Sequence, residues 1–248
     1  MKRTGNTIFI TGGGSGIGRA LAHRWHDEGN RVIVAGRRRE ALEETVAGRS
    51  GMAYYELDVS DPDAIRSVAG RLTTDHPGLN VLVNCAGISG LEDPTTTRDL
   101  SRTSDIVETN LLGPIRMTDA LVDHLKGQPD AAILVVSSGT GFVPYPGAAT
   151  YSASKAAIHS YTLSLRALLK GATQVIEIIP PMVATDLLDG LTASPLSVPL
   201  DKFADDVMAQ LTGQPEADEI IVEEVEPFRF AERDGKMREI VASMIADD

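Results

Sequence analysis

Short apolar runs rich in β-branched residues recur along the chain. Each is followed by a stretch whose apolar positions return every three or four residues. The runs lie at 7–11, 31–35, 52–57, 81–84, 132–136, 175–179 and 219–222. Several are apolar at consecutive rather than alternating positions, which suits strands covered on both faces in a parallel sheet. Glu56 and Glu177 interrupt two of the runs, and each needs a sheet edge, a strand end or a partner. Between the runs, 19–28, 39–47 and 63–74 carry helix formers at helical spacing. This alternation predicts right-handed βαβ units and an α/β fold, a doubly wound parallel seven-stranded sheet with helices on both faces. In that architecture ligands sit beyond the carboxyl ends of the strands.

No low-complexity segment, fixed-period repeat or linker divides the 248 residues, so a single domain over 1–248 is expected. Thirty-five Asp plus Glu against 23 Lys plus Arg gives a net charge of −12. That sign argues against a nucleic-acid or anionic-membrane partner. Cys85 is the only cysteine, which excludes an intrachain disulfide and a cysteine-rich zinc cluster. His23, His26, His76, His124 and His159 are scattered without metal-ligand spacing, so no metal site is expected, and His159 is read as a surface or interface residue. The longest apolar runs are about six residues, against the ~20 that span a bilayer. The first residues show no signal-peptide core. A soluble, cytoplasmic protein is the expectation.

The first run leads into Thr11-Gly12-Gly13-Gly14-Ser15-Gly16-Ile17-Gly18. Glycines allow a tight strand-to-helix turn and let backbone approach a pyrophosphate, whose charge the amides and the positive end of the next helix stabilise. No Gly-Lys-Ser/Thr ending follows, which disfavours a nucleoside-triphosphate loop. Gly12, Gly16 and Gly18 are spaced G-x-x-x-G-x-G. With Asn84-Cys85-Ala86-Gly87, Asn110, Ser138 and Tyr151-Ser152-Ala153-Ser154-Lys155 in this order, the chain closely resembles the short-chain dehydrogenase/reductase family over residues 6–225. The resemblance implies a Rossmann-like fold, a nicotinamide dinucleotide cofactor and oxidoreductase activity on a small molecule. It assigns cofactor contacts to Gly12, Gly14, Ser15, Gly16, Ile17 and Gly18, to Asn84, Ala86 and Gly87, and to Asp58 and Val59. Asp58 would meet the adenine amino group, although an Asp there equally suits a helix cap.

A NAD enzyme usually carries an acid about 20 residues past the glycines to accept the ribose hydroxyls. Here that stretch reads Ala35-Gly36-Arg37-Arg38-Arg39. Guanidiniums at Arg37 and Arg38 favour a 2′-phosphate, hence NADP(H) over NAD(H), while Arg39 is read as a solvated helix start.

Tyr151 and Lys155 are four apart, on one helical face. A tyrosine titrates at about 10, and a neighbouring ammonium together with an oxidised nicotinamide favours the phenolate. By the resemblance, Lys155 also donates to the nicotinamide ribose, Ser138 binds the substrate oxygen and Asn110 holds a water in a proton relay to Lys155. The implied reaction is reversible carbonyl/alcohol interconversion by hydride transfer, with Tyr151 as general acid/base. Alternatives are an imine or C=C reductase or epimerase of the same family, or a non-catalytic cofactor-sensing regulator.

Two regions depart from the family pattern. Pro180-Pro181 stands where relatives usually show Pro-Gly, so the loop over the nicotinamide must take a different path. By resemblance Pro181, the Val183 backbone and the Thr185 hydroxyl border the cofactor there. Residues 182–200 read as a substrate lid, whose Leu187, Leu188, Leu191, Leu196, Val198 and Leu200 suit a partly apolar substrate, with Phe142, Val143, Pro144 and Tyr145 as a further pocket wall. Residues 229–248 read as a C-terminal helical extension, amphipathic over 237–246. The long helical patterns near 102–126 and 151–170 suit a homodimer or homotetramer interface.

Overall fold

A computed structural model describes residues 1–187 and 197–246. The strands are β1 Thr7–Thr11, β2 Arg31–Gly36, β3 Ala53–Glu56, β4 Leu79–Asn84, β5 Ala132–Val136, β6 Gln174–Ile179 and β7 Glu219–Ile221. All pair in parallel, in one seven-stranded sheet of order β3-β2-β1-β4-β5-β6-β7. The helices are α1 Gly16–Asp27, α2 Arg39–Val46, α3 Pro62–Asp75, α4 Ser101–Val107, α5 Gly113–Lys126, α6 Ala149–Leu168, α7 Leu200–Gly213, α8 Glu226–Arg229 and α9 Met237–Ala246. Strand order reverses between β1 and β4, the switch point where ligands bind in such sheets.

Consecutive apolar positions in the strands are explained by two cores, one on each face. Ile8, Ile10, Val32 and Val34 pack with Leu21 and Trp25 of α1 and Phe203 and Val207 of α7. The intervening Phe9 and Ile33 pack with Ile65 and Leu72 of α3, Met117 and Leu121 of α5 and Ile158 and Leu165 of α6. Each fully buried Leu, Ile or Phe contributes about 1.5–3 kcal/mol, so strands apolar on one face alone would forfeit half the core. Glu56 resolves itself at the exposed end of the edge strand β3. Glu177 is fully buried in β6, and its partner lies on α6, described below.

The helical pattern over 102–126 is interrupted. A π-helical turn, Glu108–Leu112, separates α4 from α5. Pro114 supplies a local reason. It has no N–H to give the carbonyl of Asn110 four residues back, so that carbonyl lacks its α-helical donor. Among the described residues no helix is long and apolar enough to cross a membrane.

Asp61, rather than Asp58, caps α3. Its side chain accepts from the amides of Asp63 at 2.8 Å and Ala64 at 3.1 Å, with Pro62 in the first turn. Asp58 instead closes a tight turn, accepting from the Ser60 amide at 2.9 Å and hydroxyl at 2.7 Å. Asp61→Ala is therefore expected to lower stability by about 1 kcal/mol in chemical unfolding; an unchanged midpoint would contradict the capping role.

Candidate active site

The turn after β1 contains glycines where a Cβ would clash. Gly12 has φ +72°, and a Cβ there would lie 2.8 Å from Ala86 Cα. A Cβ on Gly18 would lie 2.3 Å from the Gly12 carbonyl oxygen. Gly16 has φ +50° and faces the Thr185 methyl. Gly14 is looser, with Ala41 Cβ 3.4 Å from the position a Cβ would take. Ser15 begins α1 without a side-chain cap, and the first turn holds no acid. The amides from Gly16 and Ile17 onward therefore open an uncapped, positive helix end at the switch point. That suits a dinucleotide pyrophosphate.

Two residues outside the expected set hold this turn. The Thr11 hydroxyl accepts from the amides of Cys85 at 3.1 Å and Ala86 at 3.2 Å, tying the ends of β1 and β4 together. The Arg19 guanidinium donates to the carbonyls of Gly14 and Ala41, the latter at 3.1 Å, and so fixes the turn to α2. Thr11 was legible as the last strand residue before the glycines; Arg19 carried no signal beyond a helical position.

At the end of β2, Arg37 and Arg38 are exposed. Arg38 reaches back to the glycine turn, its Nη2 3.1 Å from Ser15 Oγ. Arg39 pairs with Glu43 at 2.8 Å, as a solvated helix start should. Val59 is buried beneath Gly113, where a Cβ would sit 3.0 Å from its Cγ2. Asn84 does not face the crevice with its side chain. Its Nδ2 donates to Thr118 of α5 at 3.2 Å, leaving its Oδ1 buried without a partner.

Asn110, Ser138, Tyr151 and Lys155 come together at the carboxyl ends of β4 and β5. Tyr151 is 7% exposed yet belongs to neither apolar core. Lys155 Nζ lies 5.6 Å from its ring centroid and donates to the Val136 carbonyl at 2.9 Å. Gly87 leaves room between the groups, since a Cβ there would lie 3.5 Å from Asn110 Oδ1 and 3.8 Å from Lys155 Nζ. Asn110 is buried in the π-helical turn. It donates to the Ile88 carbonyl at 2.8 Å and to Ser154 Oγ at 3.2 Å, and Ser154 donates to the Tyr151 carbonyl at 2.7 Å. Ser138 Oγ accepts from the Thr140 amide at 3.2 Å and hydroxyl at 3.1 Å. With both donors from Thr140, the Ser138 hydroxyl keeps its own proton toward Tyr151, whose phenol it acts to lower.

Burial dominates the electrostatics of the cofactor-free site. Burial pushes the Tyr151 phenol up to about 12, against a smaller opposing effect of the Ser138 hydroxyl. The protein alone therefore does not make this phenol acidic. Burial likewise pushes the Lys155 ammonium down to about 8, opposed by Cys85 and Glu177. Cys85 is partly covered, and burial of its thiol pushes it up to about 12.

The catalytic helix is held from outside as well. α6 has no local side-chain cap, and Glu92, from the loop after β4, takes the Thr150 amide and, at 3.0 Å, the Thr150 hydroxyl. Burial alone would raise the Glu92 carboxyl, but these bonds and Arg98 hold it below the usual range.

Pro180 ends β6 by accepting from the Gly139 amide at 2.9 Å. After Pro181, Val183 forms a parallel bridge with Val198, and the Ala184 amide donates to the Val198 carbonyl at 2.9 Å. The two ends of the expected lid thus meet, with Thr185 over Gly16. Residues 188–196, including Leu188, Leu191 and Leu196, lie outside the described residues. The expected pocket wall is corrected in two places. Val143 is fully buried in the core, and Phe142 turns to pack on His159, ring centroids 4.6 Å apart, with the Arg229 guanidinium 4.7 Å from its own centroid.

His159 is likewise no simple surface residue. Its Nδ1 lies 2.8 Å from Glu177 Oε2, the partner that the buried strand carboxylate requires. Donor atoms of His159, Glu177 and Glu219 lie within 4.8 Å of one another, a spacing a divalent ion could use. Arg229 forks onto Glu219 at 2.8 and 2.9 Å, however, and that guanidinium already supplies the cation. The cluster reads as an ion-pair network.

Residues 6–195 match the family profile described as short chain dehydrogenase. The uncharacterized oxidoreductase DltE of Bacillus subtilis is 39% identical over 189 residues, 75% of this chain and 75% of its own. Sulfoacetaldehyde reductase 2 of Chromohalobacter salexigens is 35% identical over 184 residues, 72% of this chain and 73% of its own. Among solved structures, a short chain dehydrogenase from Burkholderia cenocepacia in complex with NADP has a TM-score of 0.83 at 26% identity, covering 98% of this chain and 99% of that one.

Burying Lys155 has a measurable consequence for stability. The unfolded chain keeps its proton up to 10.5, while the folded chain releases it at about 8. Between these values the unfolded state binds more protons, so stability rises with pH, and below 8 this contribution is gone. Tyr151 works oppositely above 10, where the unfolded chain ionises first. From pH 8 to 10, the wild type is expected to gain about 2 kcal/mol relative to Lys155→Met in urea unfolding. Parallel stability curves would show that the ammonium is not buried in solution.

Proposed function

The chain belongs to the short-chain dehydrogenase family and is an NAD(P)-dependent oxidoreductase, and from that premise we propose that it interconverts a small carbonyl compound and its alcohol. The observation that carries this reading is the convergence of Tyr151, Lys155, Ser138 and Asn110 beside Gly87, one strand from the glycine turn.

A nicotinamide dinucleotide held in the cleft beyond β1 and β4 would supply or accept the hydride. Gly12, Gly14, Ser15, Gly16, Ile17 and Gly18 would hold its pyrophosphate at the α1 end. Asp58, Val59, Ala86, Gly87, Pro181, Val183 and Thr185 border the rest of the cleft. Arg37 and Arg38 lie with no carboxylate between them and the turn, and Arg38 already bonds Ser15. Two guanidiniums there favour a 2′-phosphate, so NADP(H) is the preferred form.

Ser138 donates a hydrogen bond to the substrate oxygen and orients it without losing its proton. Tyr151 holds a proton at its hydroxyl and passes it to that same oxygen as negative charge grows there. Lys155 stands beside the phenol as a cation, stabilising the phenolate left behind. The Asn110 carbonyl, without an α-helical donor because of Pro114, is placed to hold the water that returns a proton toward Lys155. The exposed Leu163 and Leu168 on α6 fit burial in a homodimer or homotetramer.

The reading is tested by following nicotinamide absorbance with NADPH and NADH over short aldehydes, ketones and their alcohols. Sulfoacetaldehyde is a natural first probe, given the 35% identical relative. Tyr151→Phe is expected to cut turnover by about 10²–10⁴-fold while NADPH still binds; near-normal turnover would overturn the mechanism. Arg38→Gln is expected to weaken NADPH about tenfold and leave NADH unaffected. Equal effects on the two cofactors would remove Arg38 from phosphate recognition.

A further inference from the structure

Among the described residues, two side chains of the Asp, Glu, Lys and Arg types are buried: Lys155 at 5% exposure and Glu177 at 0%. They carry opposite charge and lie on the same side of the sheet. Glu177 pairs in register with Val135, and the next carbonyl along β5, that of Val136, receives the Lys155 ammonium at 2.9 Å. Lys155 and His159 are one turn apart on α6, and His159 Nδ1 holds Glu177 Oε2 at 2.8 Å. Glu177 Oε1 is buried with no hydrogen-bond partner. An isolated carboxylate or ammonium in such a place is costly, and an opposite charge nearby offsets part of that cost.

The remaining charged or titratable groups around Lys155 do not compete for this role. Tyr151 and Cys85 are both pushed up to about 12 by burial and are uncharged at neutral pH. Glu219 is forked by Arg229 at 2.8 and 2.9 Å and so neutralised at its own site. His159 contacts Glu177 rather than Lys155. Asn110 is neutral. Glu177 is the remaining carboxylate; it also acts on the Arg229 guanidinium, and after Cys85 it acts to raise the Lys155 ammonium against the larger effect of burial.

We propose that Glu177, oriented by His159, is a positioning residue that sustains the positive charge on Lys155. This rests on the reading above in which Lys155 works as a cation beside Tyr151. Glu177 touches no reacting atom; its effect passes through the ammonium.

The test reads Lys155 directly. Lysine side chains labelled for NMR are titrated in the full-length protein, with the Lys155 signal identified by its loss in Lys155→Met. The wild type is expected to titrate at about 8. Glu177→Gln, and Glu177→Val as a β-forming alternative should the amide variant not fold, are expected to lower that midpoint by about one pH unit or more. With sulfoacetaldehyde as the probe, the alkaline limb of kcat should move down by the same amount, while the KM for NADPH stays within about twofold. A merely structural role would lower thermal stability and leave the midpoint in place. An unchanged Lys155 midpoint in either folded variant overturns the proposal, as does a wild-type Lys155 already uncharged at pH 7. If the wild type turns over no carbonyl probe, the proposed reaction fails, and the titration still decides the role of Glu177.

Discussion

A lysine ammonium enclosed by protein, with a tyrosine phenol beside it, is an arrangement that the interior resists. Water would hold both groups better, and the shifts show it: Lys155 is pushed down to about 8 and Tyr151 up to about 12. The fold around them is organised to keep that arrangement in place. The Val136 carbonyl takes the ammonium, Glu177 lies on the neighbouring strand held by His159, and Ser154 and Asn110 tie the tyrosine's helix to the π-helical turn. Such expenditure of stability fits a site kept for chemistry rather than for packing.

The scaffold achieves this through close approaches of backbone. Gly12 lets β1 meet the end of β4, Gly113 lets α5 close over Val59, and Gly141 lets the serine loop lie on α6, where a Cβ would come 2.9 Å from the Lys155 carbonyl. A Cβ on Gly139 would come 2.8 Å from Val225 Cγ2 and 3.3 Å from Phe228 Cβ in the C-terminal segment. The loop that carries Ser138 is thereby clamped between α6 on one side and α8 with its preceding turn on the other. The C-terminal residues after β7 thus help to set the position of the serine, and Arg229, bound to Glu219 and stacked on Phe142, is the link between them.

Much of this was legible in the sequence, because the runs that are apolar at successive positions have one physical meaning, strands covered on both faces. The glycine spacing and the tyrosine–lysine interval were legible for the same kind of reason, since few other residues fit those places. The π-helical turn was not, because periodicity alone does not register one missing hydrogen bond; Pro114, four residues after Asn110, was the available signal. Asp58 was a weaker guide to the cap of α3 than Asp61, which stands directly before Pro62. Val143 and Phe142 looked like a pocket wall because apolar residues near a site suggest one, and only the packing against His159 and Arg229 shows where Phe142 goes. Glu177 announced itself as a misfit in an apolar run, but its partner was 18 residues away in sequence, beyond the reach of local pattern.

This buried phenol becomes a usable acid and base only when positive charge gathers beside it. Tyrosinate absorbance, titrated in the free protein and in its complex with oxidised NADP and assigned by difference from Tyr151→Phe, tests that claim most directly. Tyr151 is expected to ionise at about 12 in the free protein and several pH units lower in the complex. A phenol that titrates at the same pH with and without the cofactor would contradict it.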